Sequence, residues 1–376
     1  LGWETSVKEL YPEFQLADGE LASKLEVQDL FCACTGLPRT DFTLVFEFAG
    51  KGPKDVFATL AGLSPTTAMN ETFKYNNQLT AAGGYLAGHV AFPEESDLRR
   101  AYQQALRGRV LDPLGMSSTT MELSAVKKRA NHAMPHALTI DGTTAAVPLG
   151  YEDFVLPLAP AGALWSSAND MARYVALQLS RGLGPDGKRV VSQAALDKTQ
   201  TGRVKTGSEG SYALGWSVGE AWGLRAVGHG GGTLGFGSDL TFFPDIGLGI
   251  FIVGNRIPDG AVLALAKQRL LELVFDADLN AEAKARERLQ IRAESLAAGR
   301  SKLADGTPPA ALLGRYQNAD LGQVTLKQDG ERVILDAGEW TSTVRVVKES
   351  AGPATLLLVG GPGDGHSMVS EPKVSY

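Results

Sequence analysis

Two short clusters hold the residue types that proton transfer and acyl transfer need. The first is Phe73-Lys74-Tyr75-Asn76-Asn77-Gln78, placed just ahead of a helical stretch with Ala81, Ala82, Gly83 and Gly84. A phenol and an amide two residues apart on a loop set two polar tips side by side. In a cleft, the phenol of Tyr75 exchanges protons while the amide of Asn77 positions a neighbouring lysine or a substrate carbonyl. Taken alone, the pattern reads first as a loop tyrosine beside a helix end. The second cluster is His229-Gly230-Gly231-Gly232-Thr233. Successive glycines let a substrate lie against strand backbone whose N–H groups donate to an oxyanion, with His229 at the mouth of that edge. A glycine-rich hairpin turn with a surface histidine accounts for the same letters equally well.

Other reactive residues fit structural roles. His132 and His136 have the spacing of one helix face, but Pro135 between them breaks a helix, and no acidic residue completes a zinc pattern. His89 closes a helical stretch, and His366 lies in a Gly-rich turn. Cys32 and Cys34 are the only cysteines. A bridge across one intervening residue is strained, so two buried thiols and no disulfide are expected.

The elements that must position these clusters follow from hydrophobic period and punctuation. Helices are predicted over Val27–Thr35, Lys54–Leu60, Gln78–Ala91, Leu98–Leu106 and Ser167–Leu179. Gly36 and Pro38 stop the first, and Ser167 with Asp170 starts the last as a capping box. From Ser211 the pattern turns to strands, Tyr212–Val218, Leu224–Gly228, Ser238–Pro244 and Leu248–Asn255, which read as an antiparallel meander covered by a helix over Ala261–Val274. Asn280–Leu303 is rich in Ala, Glu, Arg and Lys and reads as a solvated helical linker. The tail alternates apolar and polar residues around Asp329–Gly330, a hairpin signal, with further strands at Ser342–Val347 and Thr355–Val359. The fold class expected is α+β, divided into a main domain over residues 1–278, a linker over 279–303 and a small β domain over 304–376. That last domain is too short to close a large barrel unless the chain continues past Tyr376.

Bulk properties narrow the function further. At 376 residues and 44% hydrophobic, the chain buries a sizeable core. Its net charge is -6, and no Lys or Arg run is long enough to track phosphates, which argues against nucleic acid. Apolar runs such as Gly247–Gly254 and Ala261–Ala266 are far too short to span a membrane.

In order along the chain, several segments resemble the serine β-lactamase and penicillin-binding-protein superfamily, in particular its class C β-lactamase, D-aminopeptidase, family VIII esterase and CubicO-type peptidase branches. Val27-Gln28-Asp29-Leu30 through Thr35-Gly36-Leu37-Pro38 is similar to the family's helix ending in Ser/Thr-Gly-Leu-Pro. Tyr75-Asn76-Asn77 resembles its Tyr-x-Asn box, and Pro113-Leu114-Gly115-Met116 its Pro-Leu-Gly-Met turn. Pro160-Ala161-Gly162 through Ser166-Ser167-Ala168-Asn169-Asp170-Met171-Ala172 resembles its Gly-rich approach to a helix, and His229-Gly230-Gly231 falls where these branches carry Lys/His-x-Gly. The resemblance implies an acyl-enzyme serine hydrolase acting on a small-molecule or short-peptide substrate, with no metal or organic cofactor, a periplasmic or secreted location and a lipocalin-like tail domain. In it Tyr75 carries protons, Asn77 orients the lysine and the substrate amide, and His229 stands for the lysine of Lys-Thr-Gly. Gly232 supplies half of the oxyanion hole, and Gly230 and Gly231 bind substrate.

The family's Ser-x-x-Lys helix precedes the segment that Tyr11-Pro12-Glu13-Phe14 resembles, so the nucleophile and its lysine are expected upstream of Leu1. Literal matches at Ser124-Ala125-Val126-Lys127 and Ser370-Glu371-Pro372-Lys373 come after Tyr75, in the wrong order, and the second has a proline inside it. Lys205-Thr206-Gly207 spells the third box but reads as a loop ahead of the first strand. Short peptides, D-amino-acid peptides and esters rank ahead of β-lactams, because His229 replaces lysine. Two other readings stand beside this one. One is a non-catalytic binding protein that keeps the fold; the other makes the tail the binding module and the larger domain its scaffold.

Overall fold

The helix Asn77–Ala91 is the element around which the N-terminal half packs, and its small residues explain why. Asn76 starts it, its Oδ1 accepting from Leu79 N at 2.9 Å, as an N-cap residue should. Ala81, Ala82, Tyr85 and Leu86 are buried along it, and the Tyr85 hydroxyl donates to Pro157 O at 2.7 Å. Where it crosses the helix Leu98–Leu106, Gly88 lets two backbones touch: a Cβ there would lie 2.6 Å from Tyr102 Cα. The structure, a computed structural model, describes residues 2–139, 142–208, 210–257, 260–301, 310–318, 322–347 and 355–359.

The stretch expected as a helix over Val27–Thr35 holds a single 3-10 turn, Val27–Leu30, and then changes direction. Cys32 and Cys34, expected as free thiols, are joined as a disulfide with Cα atoms 5.1 Å apart. The residue between them makes this reachable. Ala33 adopts a φ of 51°, which reverses the chain so that the two side chains face one another instead of diverging.

After a hairpin of His136–Leu138 (β1) and Thr144–Ala146 (β2), the helix Ala168–Leu179 begins at Ser167, whose Oγ accepts from Asp170 N at 3.2 Å. Six antiparallel strands then follow in sequence order: Val204–Lys205 (β3), Ser211–Tyr212 (β4), Ser217–Ala221 (β5), Leu224–Gly232 (β6), Gly237–Phe243 (β7) and Leu248–Gly254 (β8). The single strand expected over Tyr212–Val218 is broken by a tight turn in which Ala213 N donates to Trp216 O at 2.7 Å, and Gly215 supplies the φ of 83° the turn needs. The strand expected to end at Gly228 runs on to Gly232, so the glycine run lies within β6.

Both faces of this sheet are covered. Val227, Leu240 and Phe242 pack under Val175 of the Ala168–Leu179 helix, while Phe243 and Ile250 pack under Leu271 of the helix Gly260–Val274. Arg256–Ile257 (β9) pairs parallel with β1, and the helix Ala281–Ser301 lies against Gly260–Val274. None of the described helices is long and apolar enough to cross a membrane.

The tail forms a five-stranded antiparallel meander of Gly314–Asn318 (β10), Gly322–Asp329 (β11), Arg332–Asp336 (β12), Thr341–Val347 (β13) and Thr355–Val359 (β14). Asp329 pairs with Arg332 across the hairpin turn that Asp329–Gly330 predicts. Its core of Leu326, Val333, Trp340 and Val344 extends onto Phe46 and Tyr151 of the main body, and Trp340 Nε1 donates to Val45 O at 2.7 Å. The architecture is α+β, as expected from the sequence.

Because the contact at Gly88 is backbone against backbone, Gly88→Ala forces the two helices apart. It should destabilise the protein by about 1–3 kcal/mol, the usual cost of overpacking. Gly19→Ala, where a Cβ meets nothing within 4 Å, should unfold at the wild-type temperature in the same calorimetric scan.

Candidate active site

Three consecutive side chains at the start of the Asn77–Ala91 helix clamp the loop Pro38–Asp41. Asn76 Nδ2 donates to Pro38 O at 2.8 Å, Asn77 Nδ2 to Asp41 Oδ2 at 2.6 Å, and Gln78 Nε2 to Thr40 Oγ1 at 2.9 Å. Asp41 is buried and takes Arg39 in a fork, Nε at 2.6 Å and Nη2 at 2.9 Å. Behind Tyr75, Lys74 N donates to Ala33 O at 2.8 Å and Asn70 N to Cys34 O at 2.7 Å, so the disulfide turn carries the loop that presents the phenol.

Tyr75 then meets β6. Its ring centroid is 6.0 Å from the rings of both His229 and Tyr212. The Tyr212 hydroxyl lies 3.1 Å from His229 Nε2, and His229 Nδ1 lies 2.6 Å from Gly230 O. A carbonyl oxygen only accepts, so Nδ1 carries a ring proton, and the Tyr212 hydroxyl stands between His229 Nε2 and the Tyr75 hydroxyl. Strand register produces this convergence: Tyr212 pairs with Ser217 on β5, and Ser217 pairs with Gly228 on β6, one residue before His229.

Burial pushes the Tyr75 phenol above the ordinary tyrosine range, with Arg39 pulling it down and Asp41 pushing it up. Burial, with Tyr75 beside it, pushes Tyr212 much further in the same direction. Both phenols therefore hold their protons at neutral pH. Tyr75 becomes a proton acceptor only if a further cation stands against it.

Beside the phenols runs an open strand edge. The ladder between β5 and β6 ends at Gly228, whereas that between β6 and β7 continues to Gly232. His229 to Gly232 thus extend past β5, with the glycines exposed and nothing within 4 Å of a Cβ on Gly232. Backbone groups on such an edge can pair with an extended ligand.

The structure accordingly brings Tyr75, Asn77 and His229 to one side of the molecule, with Gly230, Gly231 and Gly232 along the edge. Other candidates lie elsewhere. Lys205 is on β3, not in a loop as expected, but it is exposed at the sheet's outer edge with β4 and β5 between it and β6. Ser124 and Lys127 are exposed on the short helix Leu123–Lys127. Ser370 and Lys373 lie outside the described residues. His89 meets the Tyr11 ring edge-on, and His136 sits on β1 with Nδ1 at 3.2 Å from Asn255 O. Tyr212, Arg39 and Asp41 are the residues that motif reading missed.

The profile of the Beta-lactamase family matches residues 1–275. The chain belongs to the Beta-lactamase family. It is 24% identical over 266 residues to Unguisins hydrolase ungD' of Aspergillus campestris, covering 67% of this chain and 47% of that protein. It is 28% identical over 260 residues to Penicillin-binding protein 4 of Amycolatopsis lactamdurans, covering 67% and 65%. The chain spans about half the length of the Aspergillus relatives it matches. Among solved structures, the octameric penicillin-binding protein homologue from Pyrococcus abyssi superposes with a TM-score of 0.61 at 19% identity, over 97% of this chain and 78% of that one. A D-stereospecific amidohydrolase from Streptomyces sp. gives 0.54 at 18% identity, over 68% and 75%. These likenesses establish the β-lactamase and penicillin-binding-protein fold.

The buried Tyr212 phenol leaves a spectroscopic mark. In an alkaline titration followed by tyrosinate absorbance, Tyr212→Phe should remove one tyrosine's amplitude from the late phase and leave the early phase intact. Loss from the early phase would contradict the burial described here.

Proposed function

We propose that this chain forms the acceptor half of an acyl-enzyme serine hydrolase. The observation that carries the reading is the meeting of Tyr75 with His229, through Tyr212, beside the open edge of β6. The nucleophilic serine and its lysine come from residues preceding Leu1, as in the family's Ser-x-x-Lys helix, and that lysine is the cation Tyr75 requires. The serine Oγ attacks a substrate carbonyl, the Oγ–C bond forming as the hydroxyl proton passes to Tyr75, deprotonated beside the lysine. The C–N or C–O bond to the leaving group then breaks, and that group departs with the proton handed over by Tyr75. Water adds to the acyl carbon, giving up a proton to Tyr75, and the C–Oγ bond breaks as that proton is returned to Oγ. Asn77, held by Asp41, faces the lysine and the substrate amide. Gly232 N–H supplies half of the oxyanion hole, Gly230 and Gly231 hold the substrate backbone, and His229 takes the place of the box lysine.

A histidine in that place favours short peptides, D-amino-acid peptides and esters over β-lactams. The name of the Streptomyces neighbour, a D-stereospecific amidohydrolase, supports an amide substrate, and the class C β-lactamases among the structural neighbours keep β-lactams within the range.

Intact-mass analysis of the full-length protein after treatment with a fluorophosphonate should show one serine adduct upstream of Leu1. Absence of any serine adduct would replace this reading with that of a binding protein that keeps the fold. Tyr75→Phe should lower kcat for a small ester by about 10²–10⁴-fold, the range for losing a general acid–base group, while still taking the label slowly.

A further inference from the structure

Glu152 is a carboxyl that the proposed chemistry does not use, and its position is unusual. It belongs to the 3-10 segment Leu149–Leu158, is 3% exposed, and leaves Oε1 buried without a hydrogen-bond partner. It faces the Thr233 hydroxyl, whose Oγ1 is likewise buried without a hydrogen-bond partner, and the peptide N–H groups of Leu234 and Gly235. Those three residues form the turn between β6 and β7, which starts immediately after Gly232.

The turn has little freedom on its other sides. Thr233 N donates to Phe236 O at 3.0 Å, and His136 N to Gly235 O at 3.4 Å. A Cβ on Gly235 would lie 2.8 Å from Pro135 Cα, so the turn is pressed against that segment. Phe236 packs edge-on against Trp165, ring centroids 5.5 Å apart, and Trp165 is fixed by a backbone bridge to Thr120. Leu234 of the turn is buried among Val45, Ala137, Val147 and Ile257, and Glu152 packs against another side of this turn, whose first neighbour is the proposed oxyanion donor.

We propose that Glu152 is a positioning residue whose carboxylate draws the Thr233–Gly235 turn into place and so sets the Gly232 N–H for catalysis. The proposal rests on the hydrolase reading of the β6 edge.

The charges around Glu152 make this setting sensitive to pH. Among the described residues, the charge that bears on it is Asp153, of like sign and on the same segment. Asp153 in turn faces Lys127, Glu122 and Arg99. On β1, His136 directs its ring Nδ1 to Asn255 O, and on β9, Arg256 pairs alongside it. Burial pushes the Glu152 carboxyl up to about 7. A raised value means that the folded state prefers the acid. As pH rises through about 7, the carboxylate forms inside and accepts charge-assisted bonds from the hydroxyl and the two N–H groups. Below that range the acid accepts weakly and the turn relaxes.

The test labels the full-length protein with 5-fluorotryptophan and follows the Trp165 resonance, assigned with Trp165→Phe, against pH. The wild-type resonance should titrate with a midpoint near the Glu152 value, and in Glu152→Gln it should stay at the low-pH position throughout. The Gln variant at alkaline pH should also lose about tenfold in kcat with KM unchanged, less than the loss on deleting an oxyanion donor outright. A resonance that does not titrate in the wild type, or titrates identically in Glu152→Gln, overturns the proposal. So does an unchanged kcat profile in an active Gln variant. If Trp165 behaves as expected but the wild type hydrolyses nothing and takes no fluorophosphonate, the hydrolase reading fails while the turn switch stands.

Discussion

The hydroxyl of Tyr212 is where two otherwise separate parts of the chain are held in register. One part is the loop before the Asn77–Ala91 helix, which presents Tyr75; the other is β6, which presents His229. Tyr212 is 5% exposed, and a phenol buried that far must find a partner or incur a desolvation cost of about 1–3 kcal/mol. His229 Nε2 is that partner, available because Gly230 O fixes the proton on Nδ1. The polar contact sits beside the rings of Phe73 and Tyr75, which pack on Tyr212 and on one another. Any ligand on the β6 edge therefore meets a preformed group of two protonated phenols and the His229 imidazole.

A second constraint holds the other side of that group. Asp41 accepts from Asn77 and from both arms of Arg39, and Arg39 also lies over Phe42 and beside Tyr75. A buried carboxylate left unpaired is costly, so Asp41 ties the start of the Asn77–Ala91 helix to the loop that follows Pro38. That loop leads directly into Thr43–Phe46, the seat of the tail sheet through Trp340. The tail is thus joined to the main body only a few residues from the site.

The parts of this arrangement written in local pattern were readable in the sequence. Ser167 with Asp170 marked a helix start, Asp329–Gly330 a hairpin, and the alternation after Ser211 an antiparallel meander. Tyr75, Asn77 and His229-Gly230-Gly231-Gly232 were singled out through the order of several family-like segments, since the spacing of each alone reads equally well as a loop or a glycine turn. Tyr212 carried no such signal: its role depends on the register of β4 on β5 and β5 on β6, which a turn at Gly215 sets and which the reading of one continuous strand erased. Asp41 was hidden for a related reason, since its partner lies 36 residues away. The Cys32–Cys34 bridge was not legible because it depends on the backbone of the residue between the cysteines, where Ala33 is left-handed. Glu152 escaped because burial, not spacing, makes it unusual.

The central claim is that Tyr75, His229 and the β6 edge belong to one site. A crystal structure of the full-length protein after reaction with a phosphonate ester tests it most directly. The account predicts phosphorus on a serine beside Tyr75, with one phosphonyl oxygen about 3 Å from Gly232 N. An adduct on a serine remote from Tyr75, such as Ser124, or a phosphonyl oxygen turned away from β6, would contradict it.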